Sequence, residues 1–155
     1  MLEKKLFLYF QEAQKHIDKI NLSKEVLKKH YPFTVDTLEE LTEIENDKLD
    51  VLAFRFAKLQ DLLGEKIFRN ILNLMGYNTQ KPFIEILGEL EREGLIDIKK
   101  WIAIRNARNA ISHEYPYQED KIIEAINFII ENSSYLINVT YKLQRLFDEI
   151  VSKRS

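Results

Sequence analysis

The sequence predicts an all-α fold, and two features carry that prediction. Leucine, isoleucine, lysine and glutamate dominate the composition and favour helix, whereas glycine (4) and proline (3) are scarce. Long stretches place apolar residues three or four positions apart, which is the period of an amphipathic helix. With 155 residues and short connections, we expect one domain over 1–155, built as an antiparallel up-down bundle of four to five helices.

The N-terminal third predicts one long helix followed by a shorter element. Residues 2–29 have the helical pattern, and Pro32 follows, where a helix-breaking residue belongs. Residues 36–46 are interpreted as a short helix or an ordered link, with Asp36 or Thr37 as its N-cap.

The centre of the chain predicts a second long helix and a shorter one. Gly76 is expected to end the long helix, as a C-terminal glycine does. Pro82 opens the shorter helix, which runs to about Glu93 and is closed by Gly94. The apolar pattern of the long helix consists of Leu49, Leu52, Phe56, Leu59, Leu63, Ile67, Ile71 and Leu74.

Two further helices are predicted in the C-terminal third. The first covers 97–113 and ends in a turn at 114–116; the second runs over about 119–152. Spacings of four and three alternate along the second, which favours packing within a left-handed bundle over a free coiled-coil arm. Its seam is Ile122, Ile126, Ile129, Ser133, Leu136, Thr140, Leu143, Phe147 and Ile150.

Composition excludes several classes of function. The chain has no cysteine, so it has no disulfide, no thiolate zinc site and no cysteine nucleophile. The apolar run near the N-terminus is short for a secretory signal and no apolar run is long enough to cross a membrane, so together with the missing cysteines we expect a cytoplasmic protein. No phosphate-cradling glycine loop occurs, and no acid or histidine stands at a recognisable metal-ligand spacing from His113. We therefore expect neither cofactor nor metal.

Positive charge is concentrated in one stretch of the chain. The net charge is −2, so any binding of nucleic acid must depend on a local patch. Between Asp97 and Glu114 there is no acidic residue, and an ordinary solvated helix face is the alternative interpretation. The basic residues of this stretch are Lys99, Lys100, Arg105 and Arg108.

The same stretch gathers its polar side chains on one helix face. On a helical wheel Arg105, Arg108, Asn109 and Ser112 fall together, and His113 lies at the edge of the group. Any amphipathic helix has a polar face, but this one carries Arg and Asn in place of Glu/Lys pairs, which suits fixed hydrogen bonds. The opposite, buried stripe is predicted to be Ala103, Ile104, Ala107, Ala110 and Ile111.

The segment from Arg108 to Tyr115 resembles the Arg-x4-His-x-Tyr motif of the HEPN superfamily (higher eukaryotes and prokaryotes nucleotide-binding domains), most closely that of HepT toxins. The resemblance implies a HEPN-like helical fold and a metal-independent endoribonuclease, the toxin of a toxin–antitoxin system. It also implies a homodimer with a composite active site where two protomers meet. The implied antitoxin is an MntA-like nucleotidyltransferase that adds AMP to the motif tyrosine.

By the same resemblance each motif residue has an expected role. His113 would take the proton from a ribose 2′-OH, and Arg108 would bind the scissile phosphate of the RNA. Asn109 would orient His113 or the phosphate, and Arg105 would contact the phosphate or support the site. Tyr115 would lie beside the phosphate and accept AMP, a bulky anion that would block RNA.

Other candidate residues are weaker. We expect His16 and His30 to face solvent, and the Asp61–Glu65 stretch to be an exposed face, the alternative being that it supplies carboxylates to the cleft. Arg55 could pair with such a carboxylate, and Trp101 falls near the polar face, where it could line the cleft or an interface. The aromatic residues expected in the core are Phe7, Phe10, Phe54, Phe56 and Phe68.

Two other functions stay open at this point. The fold could serve as the non-catalytic substrate-binding subunit of a nucleotidyltransferase, although an intact Arg108, His113 and Tyr115 argue against a scaffold. It could also be a helical bundle that acts only in assembly.

Overall fold

A computed structural model describes residues 1–112 and 119–154 of the chain, without the side chain of Ser112. In these two ranges all regular structure is helical, so the predicted all-α class is confirmed. No helix within them has the length and apolar character needed to cross a bilayer. The elements are α1 (Leu2–Leu27), a 3-10 turn (Lys28–His30), α2 (Val35–Glu39), α3 (Glu43–Leu62), a π turn (Leu63–Ile67), α4 (Phe68–Leu74), α5 (Phe83–Arg92), α6 (Ile98–Ser112) and α7 (Glu119–Arg154).

Helix α1 packs mainly against α3 through one apolar face. The helix and the following 3-10 turn match the predicted range of 2–29. Residues at a spacing of three and four are buried along it, which is the pattern of an amphipathic helix against a core. They are Leu6, Phe10, Ala13, Ile17 and Ile20.

Helix α2 begins at a capping box, and the predicted N-cap was wrong. Thr34 is the N-cap: the Thr37 backbone N–H donates to Thr34 Oγ1 at 3.2 Å, and the Thr34 N–H donates to Thr37 Oγ1 at 2.7 Å. Thr37 thus occupies the third helical position of the box, and Asp36 the second. Both Thr34 and Thr37 have a hydroxyl that can cap a helix. Thr34 is the N-cap because its backbone is extended, while Thr37 already lies within the helix.

The predicted element 36–46 is divided between two helices. Helix α2 ends at Glu39, and α3 begins at Glu43 under a second capping box between Thr42 and Glu45. The Glu45 N–H donates to Thr42 Oγ1 at 3.2 Å, and the Thr42 N–H donates to Glu45 Oε1 at 3.0 Å. Helix α3 therefore starts well before the apolar pattern that begins at Leu49, because its first turn is stabilised by capping and not by core contacts.

Helices α3 and α4 are joined by the π turn into one helical segment that ends at Leu74. Leu59, Leu63, Ile67 and Ile71 are all fully buried and lie four residues apart, a longer step than the 3.6 residues of an α-helical turn. The extra residue of the π turn keeps these side chains on one face. Gly76 follows with a φ of 97°, a left-handed conformation that glycine adopts without strain.

The predicted seam of α7 is confirmed as its buried face. Seven of the nine predicted positions are buried, and the two at the ends, Ile122 and Ile150, pack partly buried against the core. Ser133 and Thr140 are buried too, because their hydroxyls donate to backbone carbonyls of the preceding turn, at Ile130 (3.3 Å) and Leu136 (2.9 Å).

Helices α3 and α6 run antiparallel and in contact. The ring of Trp101, near the start of α6, lies 4.7 Å from that of Phe68, just beyond the π turn. Ile111, near the end of α6, lines the same small apolar cavity as Leu49 and Ala53 of α3. The polar face of α6 therefore lies beside the C-terminal half of α3.

The prediction for the aromatic residues is only partly right. Phe10, Phe56 and Phe68 are buried in the core, whereas Phe7 and Phe54 are each 54% exposed, so their predicted burial was wrong. Phe7 is one position from the buried Leu6, and Phe54 is two positions from the buried Phe56, and each of these steps turns the exposed ring away from the buried face of its helix.

Candidate functional site

A cleft lies between the C-terminal half of α3, the π turn and α6. Its volume is about 350 Å³. Three of the residues that the sequence assigned to the site, Arg105, Arg108 and Asn109, line it from α6. The opposite side and floor are lined by Gln60, Asp61, Gly64, Glu65 and Phe83.

Arg108 is held in the cleft by an ion pair with Asp61. Its Nη2 donates to Asp61 Oδ2 at 2.9 Å, and the two side chains are 29% and 30% exposed. Nη1 also lies 3.5 Å from Asn109 Oδ1, at the long limit of a hydrogen bond. The guanidinium is therefore oriented from α3 before any ligand binds.

The position of Asp61 corrects the sequence analysis. The exposed face expected for the Asp61–Glu65 stretch holds for Glu65, whereas Asp61 is partly buried, and both carboxylates line the cleft, as the alternative predicts. The period of α3 defines which of its residues share a face. It does not say that α6 lies opposite that face, so Asp61 could not be paired with Arg108 from the sequence.

Arg105 and Asn109 extend the polar wall of α6 on either side of Arg108. They are one helical turn apart, and both are exposed. With Arg108 they provide two guanidinium groups and one amide, all capable of hydrogen bonds to phosphate oxygens. The two arginines face two carboxylates, Asp61 and Glu65, so the charged groups that line the cleft balance formally.

The floor of the cleft is shaped by Gly64 in the π turn. A Cβ at position 64 would stand 3.2 Å from Cζ2 of Trp101, closer than an ordinary van der Waals contact. Trp101 is 1% exposed and stacks at an angle on Phe68, so its predicted place at the polar face was wrong. Glycine thus allows the helix to approach the indole, and π turns occur often at functional sites.

Two predicted site residues, His113 and Tyr115, lie outside the described residues, as does the predicted turn at 114–116. The structure therefore brings together Arg105, Arg108 and Asn109 and leaves the two other assignments as predictions.

The other two histidines are not in solvent, so that expectation was wrong. His16 is buried, and its Nδ1 lies 3.2 Å from Nη1 of Arg55, the residue expected to pair with a carboxylate. Burial lowers the pKa of His16, and the positive charges of Arg55 and Lys58 lower it further, while Glu12 opposes them. His16 is thus kept neutral as the hydrogen-bond acceptor of Arg55.

His30 has a structural role at the start of α3. Its Nε2 lies 2.7 Å from Oε2 of Glu45, the buried carboxylate of the capping box. The hydrogen bond from the Thr42 backbone, together with those from His30 and Lys29, lowers the pKa of Glu45 to about 2. Among residues 1–112 and 119–154, no group of three His, Asp or Glu side chains is placed to hold a metal ion.

Comparison with known proteins adds no assignment to this geometry. No family model, curated protein or solved structure matches the chain.

Proposed function

We propose that this protein is a metal-independent endoribonuclease and the toxin of a toxin–antitoxin pair. The observation that carries the proposal is the cleft in which Arg105, Arg108 and Asn109 stand together, with Arg108 oriented by Asp61. The resemblance of the segment from Arg108 to Tyr115 to the HEPN motif supplies the reaction.

In the proposed reaction His113 accepts the proton of a ribose 2′-OH. The 2′-oxygen attacks the adjacent phosphorus, a 2′,3′-cyclic phosphate forms, and the bond from phosphorus to the 5′-oxygen breaks. The leaving 5′-oxygen takes up a proton from water, and the protonated His113 returns its proton to the solvent, so the step is balanced. General acid–base catalysis of this kind contributes roughly 10²–10⁴-fold.

Arg108 stabilises the negative charge that builds up on the phosphate oxygens during this step. A guanidinium has five N–H donors in a fixed plane, so an ion pair with one carboxylate is compatible with a further hydrogen bond to phosphate. Asp61 acts on the reaction through Arg108, since it holds the guanidinium at the wall of the cleft. Arg105 and Asn109 contribute further hydrogen bonds from the same wall.

The wider assembly is part of the same proposal. The helices form a HEPN-like antiparallel up-down bundle of four to five helices, and two copies meet to complete a composite site. An MntA-like nucleotidyltransferase in the cytoplasm neutralises the toxin when it adds AMP to Tyr115. The added phosphate brings negative charge and bulk to the place where RNA binds.

A second candidate function is favoured by the charge balance of the cleft. Asp61 and Glu65 offset the two arginines, and a ribonuclease benefits from net positive charge towards its substrate. The second candidate is a non-catalytic subunit that binds the substrate of a nucleotidyltransferase, and such a subunit does not need a net positive charge in this cleft.

One experiment separates the two functions. The parent chain, shown by mass spectrometry to be unmodified, and its His113→Ala variant are incubated with total RNA in EDTA. The ribonuclease predicts cleavage by the parent alone, with 2′,3′-cyclic phosphate ends. No cleavage by a folded, unmodified parent would contradict the ribonuclease and favour the binding subunit.

A further inference from the structure

An exposed aromatic ring continues the face of α3 that lines the cleft. Phe54, Lys58 and Asp61 are spaced four and three residues apart within α3, so all three project within a narrow arc of the helix. Asp61 and Glu65 line the cleft, and Phe54 is 54% exposed on the same face. Its Cα lies about 10 Å from that of Asp61 along the helix axis.

The antiparallel packing of α3 and α6 places Phe54 beyond one end of the cleft. Ala53, its neighbour, lines a small cavity with Ile111, one residue before α6 ends. A strand of nucleic acid that lies with a phosphate at Arg108 and continues along α3 towards its N-terminus would therefore pass Phe54. The separation corresponds to about three stacked nucleotides at about 3.4 Å each.

Two cations lie close to the ring of Phe54. The Lys58 Nζ is 5.5 Å from the ring centroid, and Cζ of Arg55 is 5.6 Å from it. Arg55 is also hydrogen-bonded to the buried His16 at 3.2 Å, which fixes the guanidinium on the protein surface. An exposed aromatic ring beside basic side chains is the combination with which proteins bind single-stranded nucleic acid, since the ring stacks on a base and the cations contact phosphates.

The other equally exposed phenylalanine has different surroundings. Phe7 is also 54% exposed, but it shares its surface groove with the carboxylates of Glu3 and Asp148 as well as Lys4. An acidic environment disfavours a phosphate backbone. Phe7 therefore provides a matched control: the same side chain at the same exposure, on a different face.

We propose that Phe54 and Lys58 form a subsite for single-stranded RNA, in which a base stacks on Phe54 and a neighbouring phosphate pairs with Lys58. This inference rests on the proposed function, because it extends the ribonuclease cleft along α3. It assigns single-stranded RNA as the substrate class, since a base within a duplex has no free face for Phe54 to stack on.

The test measures binding without cleavage. A fluorescent 2′-O-methyl oligoadenylate has no 2′-OH to react, so its anisotropy reports affinity alone, and a 2′-O-methyl duplex containing the same strand is the comparison. We expect Phe54→Ala to weaken binding of the single strand by on the order of tenfold and Phe54→Trp to retain it. Phe7→Ala should bind like the parent, and Lys58→Gln should lower the slope of log affinity against log salt by about 1.

Three results would overturn the subsite. The first is unchanged affinity in Phe54→Ala, and the second is an equal loss for the duplex. The third is a molecular mass of Phe54→Ala, measured by light scattering, that differs from the mass of the parent. That result would show that this face is a contact between copies of the chain. Binding that depends on Phe54 in a protein that does not cleave unmodified RNA would refute the ribonuclease alone, whereas cleavage without such binding would refute the subsite alone.

Discussion

The ion pair between Asp61 and Arg108 orients the guanidinium in the cleft. It joins two helices, α3 and α6, that are far apart in the sequence. Both side chains are partly exposed, with Nη2 of Arg108 2.9 Å from Oδ2 of Asp61. Such a pair contributes little to stability, because water screens it and two flexible side chains must be ordered. Its main effect is to fix the direction of the guanidinium.

The first prediction concerns this pair. Asp61→Asn should lower the free energy of unfolding by less than about 1 kcal/mol, while the rate of RNA cleavage falls roughly ten- to a hundredfold because Arg108 is no longer aligned with the phosphate. Urea denaturation and a cleavage assay measure the two effects. Glu65→Gln, which removes the neighbouring cleft carboxylate, is the control and should retain activity. Faster cleavage by Asp61→Asn would show that Asp61 repels RNA instead of positioning Arg108.

A second residue-scale prediction concerns Glu45, whose carboxylate must be ionised to stabilise the start of α3. Its pKa is lowered from 4.5 to about 2. Because the folded-state pKa lies below that of the unfolded chain, this contribution is complete above about pH 4.5 and is lost as the pH falls towards 2. We expect Glu45→Gln to be less stable than the parent at neutral pH, with the difference shrinking as the pH falls below 4.5.

Urea denaturation over a pH series measures this difference. Glu25→Gln is the control, since Glu25 is exposed near the end of α1 and pairs with Lys28 of the 3-10 turn at 2.6 Å, and surface pairs of this kind contribute little. A stability difference that stays constant down to acidic pH would mean that Glu45 acts by packing and not by its charge.

At the scale of elements, the π turn brings the helical segment of α3 and α4 close to Trp101 of α6. Gly64 allows the backbone to approach Trp101, whereas a Cβ added to Gly88 in α5 would meet no atom within 4 Å beyond its chain neighbours and the backbone of its own helix. The two glycines therefore differ in the space around them, although each lies within helical structure.

This contrast gives a paired prediction. Gly64→Ala should lower the free energy of unfolding by about 1–3 kcal/mol, since the added methyl group meets a buried indole. Gly88→Ala should raise it by about 0.5–1 kcal/mol, because alanine loses less backbone entropy in a helix. Urea denaturation of both variants provides the measurement. Equal stabilisation by both would show that Trp101 moves aside at little cost.

On the scale of the whole molecule, the proposed active site needs two copies of the chain. The one Arg and one His of the motif in each chain provide few groups to surround a scissile phosphate, and a two-fold axis would double them. We expect light scattering at micromolar concentration to give about twice the 18.5 kDa of one chain. Mixing inactive Arg108→Ala and His113→Ala variants should restore cleavage, because a mixed dimer contains one site with both groups. A monomer that cleaves RNA would contradict the composite site.

The helices themselves could be predicted from the sequence because their signals are local. The apolar period located α1, α6 and the seam of α7, and glycine and proline marked the ends of α5. The start of α3 was missed, since its signal is the capping box of Thr42 and Glu45 and not an apolar residue. Arg105, Arg108 and Asn109 were assigned to one face for the same local reason, and the structure places all three in one cleft.

By itself, then, the sequence determined the helical class, most helix positions and the polar face of α6, because each follows from residues within a few turns of one another. Only the tertiary structure decided that Asp61 faces Arg108, that His16 and Trp101 are buried, and that Phe54 is exposed beside the cleft. These properties depend on which helix lies across from each side chain, and a helical period defines a face without naming its partner.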